Sequence, residues 1–178
     1  MLSIQEAELA VLRRVGTSEA HMLTVQNNLA VSYSELGRLE EAISMRQEVY
    51  SGRLKLNGKE NEQTLLVALN YASTLFRVER FKEGNALLQK TMPVARRVLG
   101  DSHDLSLKMS WNYARALCED PATTLDDLRE AVTTLEDAAR IARRVFGASH
   151  PLTTGLEYNL RDARAVHDAR ETPSPGTA

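Results

Sequence analysis

Four asparagines, Asn28, Asn70, Asn112 and Asn159, recur along the chain at intervals of 42, 42 and 47 residues. A primary amide both donates and accepts, so a row of them can pair with the backbone of another peptide whatever its sequence. The chemistry on offer is recognition. The competing reading is that these amides bond neighbouring helices or turns. Recurrence suits both, because packing also repeats. The residues usually needed for catalysis form no recognisable arrangement: there is no phosphate-binding Gly loop and no His-Glu-x-x-His. Cys118 has no His at a telling spacing, and His21 and His167 have no nearby ligand pattern. His103 and His150 recur 47 residues apart at the same turn, which favours capping or turn packing over metal binding. Asp126 and Asp127 are adjacent on a helix, point in different directions and read as solvated. The pairs Arg13-Arg14, Arg96-Arg97 and Arg143-Arg144 stand late in helices, where cations interact well with the C-terminal dipole. The chain therefore reads as a non-enzyme with no metal and no cofactor.

The elements that position the asparagines follow the same beat. Gly16, Gly58, Gly100 and Gly147 are separated by 42, 42 and 47 residues, and Ala42, Gly84 and Ala131 keep the phase. A period of this size implies stacked repeats. Each period splits into two stretches of helical spacing. Leu23, Leu29, Ala30 and Tyr33 precede a break at Gly37; Leu39, Ala42, Ile43, Val49 and Leu54 follow it, up to Asn57-Gly58. The five extra residues of the third period fall in or beside its turn near Pro121. The predicted organisation is a repeat array over 1–170, made of a half unit 1–16, units of about 17–58, 59–100 and 101–147, and a half unit 148–170. Residues 171–178 are too polar and Pro-rich to pack and are expected to be a disordered tail. Neighbouring helices should bury Leu29, Ala30, Ala42, Ala72, Leu75, Ala114, Leu117 and Ala131. On the last helix Leu156, Leu160 and Ala163 form an apolar stripe, expected to be only partly covered by the third unit.

Bulk properties narrow the partners. The chain has 178 residues, 43% hydrophobic and 26% charged, with a formal net charge of −2. That balance recruits neither nucleic acid nor an anionic membrane. One cysteine excludes an intrachain disulfide and a Cys-rich metal site. No apolar run approaches the length of a membrane span, and the N-terminus lacks a signal pattern. A cytoplasmic location is expected, with an organelle lumen as the alternative.

The stretch Asn27-Asn28-Leu29-Ala30-Val31-x-Tyr33-x-x-x-Gly37-Arg38-x-Glu40-Glu41-Ala42 resembles one tetratricopeptide repeat, a helix–turn–helix unit. The linkers Leu99-Gly100-Asp101-Ser102-His103-Asp104 and Phe146-Gly147-Ala148-Ser149-His150-Pro151 are similar to those of the 42-residue repeats of kinesin light chains. The likeness spans roughly residues 3–168. It implies an all-α, right-handed superhelical solenoid of antiparallel helix pairs, with about seven helices. It also implies that the first helix of each unit lines a concave groove, with Asn28, Asn70, Asn112 and Asn159 as a ladder in it. Helical spacing puts Leu69 and Arg77 beside the second Asn, and Lys108, Trp111 and Arg115 beside the third. The resemblance thus implies a peptide-binding module whose ligand carries an aromatic or aliphatic anchor and acidic residues. Trp111 has a second reading as filler between units, and the three cations as solvated charges. The other functional reading is a structural subunit of a larger complex or homo-oligomer, docking by its end helices, or a regulatory domain clipped from a larger enzyme or motor-associated protein. Three departures stand out: Gly84 where a unit normally has Ala, no Gly at the third turn, and Arg161 where a small residue is expected.

Overall fold

The computed structural model describes residues 2–171, so Met1 and the expected tail beyond Glu171 lie outside the described residues. Those residues form eight α-helices and no strand: α1 (Leu2–Val15), α2 (Glu19–Glu35), α3 (Leu39–Asn57), α4 (Glu62–Arg77), α5 (Phe81–Leu99), α6 (Asp104–Glu119), α7 (Leu125–Phe146) and α8 (Pro151–Glu171). Eight is close to the expected count of about seven, and a half unit at each end around three helix pairs requires eight. No helix of the described residues is long and apolar enough to cross a membrane. The chain divides into two compact bodies, one ending at Val94 and one starting at Ala95.

In the N-terminal body, α2 packs against α1 and α3, and α3 against α4. The cross-links between α2 and α3 run in opposite senses along the two helices, Arg53 to Thr24 and Glu48 to Gln26, so the pair is antiparallel. Leu9, Val25, Leu29, Tyr33 and Ala42 form one apolar cluster here. The turn between α2 and α3 is closed by Gly37 at φ 75°, with Arg38 N–H donating to Tyr33 O and Gly37 N–H to Ser34 O. That is the paired bonding of a helix ended by a left-handed residue. One period later the same position is Glu79, at φ 60°, with Arg80 N–H donating to Leu75 O. A side chain pays a steric penalty in that region which glycine escapes, partly offset by the greater freedom of an unfolded glycine. Glu79→Gly is therefore expected to stabilise the chain by about 1 kcal/mol, read as a raised urea midpoint; a lowered midpoint refutes the assignment.

The Gly84 departure has a packing cause in this body. A Cβ at Gly84 would lie 2.8 Å from Cδ1 of Phe76. Phe76 is buried and stacks on Phe81 with ring centroids 6.2 Å apart. The aromatic ring fills the space that an alanine methyl would need.

In the C-terminal body, α7 packs against α6 and α8, and α6 touches α8. Arg143–Glu157, Arg164–Glu136 and Arg129–Glu171 run in opposite senses along α7 and α8, again an antiparallel pair. The five extra residues divide between turn and helix. The turn after α6 has five residues where the earlier two have three, and α7 has 22 residues where α3 and α5 have 19. Thr124 starts α7 with a capping box to Asp127, which replaces the glycine device of the first turn. His103 Nδ1 accepts from Leu105 N–H, and His150 Nδ1 from Leu152 N–H, both at 3.2 Å. Both histidines therefore cap helices, as Asn61 does for α4 in the other body.

All eight residues expected in the core are buried. The stripe on α8 is covered in part, as expected. Leu156 and Ala163 are fully buried and Leu160 half-buried within the chain's own fold. The face is covered because α7 runs antiparallel along α8 from Arg143 to Arg129.

Candidate functional site

A groove lies in the C-terminal body between the two first helices α6 and α8. Its volume is about 390 Å³, and it is lined by Arg115, Cys118 and Glu119 of α6, Leu135 of α7, and Tyr158, Asn159, Asp162, Ala163 and Val166 of α8. The helical spacing of each set explains the lining. Residues 115, 118 and 119, and 158, 159, 162, 163 and 166, recur at three- and four-residue steps, so each set shares one helix face. Leu135 is fully buried and Tyr158 exposed, so the groove has an apolar floor and one aromatic wall.

Charge in this groove is not predominantly basic. Arg115 pairs with Glu119 at 3.5 Å, and Asp162 adds a second carboxylate. Lys108, one turn before Asn112, pairs with Asp104 at 2.6 Å. Burial first, then the charges of Glu119 and Asp162, push the Cys118 thiol up to about 11. A thiolate is thus disfavoured, which disarms the one nucleophile in the groove. Alkylation of Cys118 at pH 8 is expected to be on the order of 100-fold slower than that of a free cysteine. An iodoacetamide rate matching N-acetylcysteine would contradict this environment.

The four recurring asparagines have different surroundings. Asn159 Oδ1 accepts from Trp111 Nε1 at 2.8 Å, and Asn112 Nδ2 donates to Lys108 O at 2.9 Å. Neither Asn28, which is exposed, nor Asn70, which is half-buried, makes a side-chain hydrogen bond among the described residues. Trp111 also covers Gly155 of α8, where a Cβ would lie 2.7 Å from Cζ2 of the indole. In the N-terminal body Leu69 is buried, and Arg77 Nη2 donates to Ser34 O at 3.1 Å. The structure thus brings Trp111 and Asn159 together, and places Arg115 and Asn159 on one groove.

Two features were not anticipated. Arg46, on α3, is buried at 7% exposure. An Arg within a helix ordinarily reads as solvated, but its alignment with Leu88 and Leu135, one and two periods on, could have singled it out. His167, Asp168 and Glu171 bring three ligand-type atoms within 4.8 Å, but Glu171 also pairs with Arg129 and both acids are exposed. That cluster has the character of surface charge.

Two family profiles, both described as tetratricopeptide repeat, match the chain, one over residues 21–83 and the other over 64–104 and 122–152. No curated protein matches it in sequence. Two crystal structures of a kinesin light chain candidate of Podosopora anserina, with nearly identical TPR-like repeats, are similar. One has a TM-score of 0.81 at 22% identity and covers 96% of this chain and 78% of that chain. The other has a TM-score of 0.75 at 20% identity, covering 97% and 88%. BtubC (BKLC) from P. vanneervenii is similar at a TM-score of 0.61 and 11% identity, covering 99% and 75%. These likenesses establish the fold as an all-α solenoid of helix pairs.

Proposed function

We propose, since this chain belongs to the tetratricopeptide-repeat family and such repeats generally mediate protein–protein contacts, that it binds an extended segment of another protein along its first helices. The observation that carries this reading is the α6–α8 groove, with its apolar floor, exposed Tyr158 and the Asn159 amide at its wall. Each body has its own candidate surface, with Asn28, Asn70 and Arg77 in the N-terminal body and Lys108, Trp111, Asn112, Arg115 and Asn159 in the C-terminal body; Leu69, expected beside Asn70, is buried. Backbone groups of the ligand pair with the amides, and its side chains are read by the residues between them. The ladder divides its labour. Asn28 and Asn70 have no internal partner among the described residues and are the amides best placed to serve a ligand. Asn159 also holds Trp111 in position. The chain acts by binding, without catalysis, in the cytoplasm.

Asn70→Ala gives the sharpest test, because that side chain bonds nothing among the described residues. The melting curve should stay unchanged. Affinity for peptides selected by the wild type from a random library should fall by about 1–3 kcal/mol, the effect of leaving buried backbone groups unpaired. Calorimetry reads the loss. Equal affinity of Asn70→Ala, Asn159→Ala and wild type for those peptides would show that the first helices are not the binding surface.

A second reading has one observation in its favour. Ile4, Val11 and Val15 share a face of α1 and are 72%, 56% and 78% exposed. Exposed apolar faces mark contacts between proteins. In that reading the chain docks as a subunit through α1. Charged substitutions at Val11 and Val15 would then abolish complex formation and leave peptide binding intact.

A further inference from the structure

The groove between α6 and α8 carries one cation and two carboxylates: Arg115, Glu119 and Asp162. Both carboxylates break the repeat. Glu119 stands 42 residues after Arg77, and Asp162 stands 47 residues after Arg115. Each therefore occupies, on its own first helix, the position at which the preceding first helix carries an arginine. The resemblance implies an acidic ligand; the charge in this groove has the opposite sign.

Asp162 is exposed and forms no ion pair or hydrogen bond among the described residues. Its neighbour Arg161 is engaged elsewhere, with its guanidinium over the Tyr158 ring at 5.8 Å from the centroid. Glu119 is paired with Arg115 at 3.5 Å, but those side chains are 47% and 41% exposed. A pair that open to water holds weakly, so its carboxylate can be shared with an incoming charge. The negative field reaches the wall of the groove: burial first, then the charges of Glu119 and Asp162, push the Cys118 thiol up. An arriving cation is attracted by both carboxylates and an arriving carboxylate is repelled by both.

Beneath these exposed charges the groove is apolar. Leu135 and Ala163 are fully buried, Val166 is half-buried, and Tyr158 offers an exposed ring. A lysine or arginine side chain matches that order of surfaces, because its methylene stem lies along apolar groups while its charged head stays in water. A purely apolar side chain satisfies the floor alone.

We propose that the α6–α8 groove is a receptor for one long basic side chain, Lys or Arg, of the bound protein segment, with its stem along Leu135, Ala163 and Val166 and its cation at Asp162 and Glu119. This rests on the groove reading above and gives it a sign. Asn159 keeps the segment in register. Its Oδ1 is taken by Trp111, and its Nδ2 remains to donate to a ligand carbonyl.

The experiment selects a random peptide library on the full chain and on its Asp162→Asn variant. Asp162 is exposed and bonds nothing among the described residues, so the variant should keep the wild-type melting curve. Wild type should enrich peptides with a fixed Lys or Arg, and these should bind Asp162→Asn about fivefold more weakly, the size of an exposed charge pair. Asp162→Glu keeps the charge and should retain the affinity. Replacing the fixed base by norleucine, which has the stem without the charge, should weaken binding to wild type and change little on Asp162→Asn, because both changes remove one interaction. Additive losses would place the base elsewhere and overturn the receptor. Peptides with a fixed acid in place of the base would overturn its sign. Peptides that lack a fixed base, bind Asp162→Asn as tightly as wild type and lose affinity for Asn159→Ala would refute the receptor and leave the groove reading standing. If no peptide is selected, the groove reading fails and takes the receptor with it. Tighter saturation by spermidine than by any basic peptide would assign the site to a free polyamine and overturn the proposal.

Discussion

Leu156→Ala is expected to be the most destabilising of the single substitutions considered, at about 2–5 kcal/mol. Leu156 is fully buried where α8 meets its neighbours in the C-terminal body. Truncation removes its transfer free energy and leaves a cavity that rigid helices close only in part. Leu160, half-buried four residues on, supplies the internal control: its truncation removes contacts at the rim and should cost clearly less. Urea denaturation of both variants reads the difference. Equal costs would mean that α8 does not seat in the body as described, and that its apolar stripe is available for another chain after all.

Gly84→Ala should be nearly as costly for the opposite reason. The added methyl would lie 2.8 Å from Cδ1 of a buried ring that also stacks on Phe81. Overpacking of this kind costs about 1–3 kcal/mol. Because the clash belongs to one pair, a double-mutant cycle isolates it. Phe76→Leu should lose aromatic packing on its own, yet combined with Gly84→Ala it should recover stability, giving a coupling of about 0.5–3 kcal/mol. Strictly additive costs would show that Phe76 is not the reason this unit carries glycine.

The sequence by itself determined the parts that depend on local spacing. The phase of Gly58, Gly100 and Gly147 placed the linkers, and each of these glycines has positive φ. The recurrence of Ala30, Ala72 and Ala114 identified small side chains at crowded contacts, and all three are fully buried. His103 and His150 were legible as turn residues because capping is local chemistry between a side chain and an amide two residues on. Only tertiary structure decided what depends on distant neighbours. Trp111 finds Asn159 48 residues away, and the glycine it covers could not be inferred from its own helix. The stripe of α8 has the same periodicity whether covered or exposed; the reach of α7 settled its burial. Arg46 is the strongest case. Its type says solvated charge and its alignment with Leu88 and Leu135 says core, and the conflict is decided only once α3 packs against both α2 and α4. Hydrophobic periodicity specifies which face of a helix turns inward, but the identity of the group waiting there is set by residues far away in the chain.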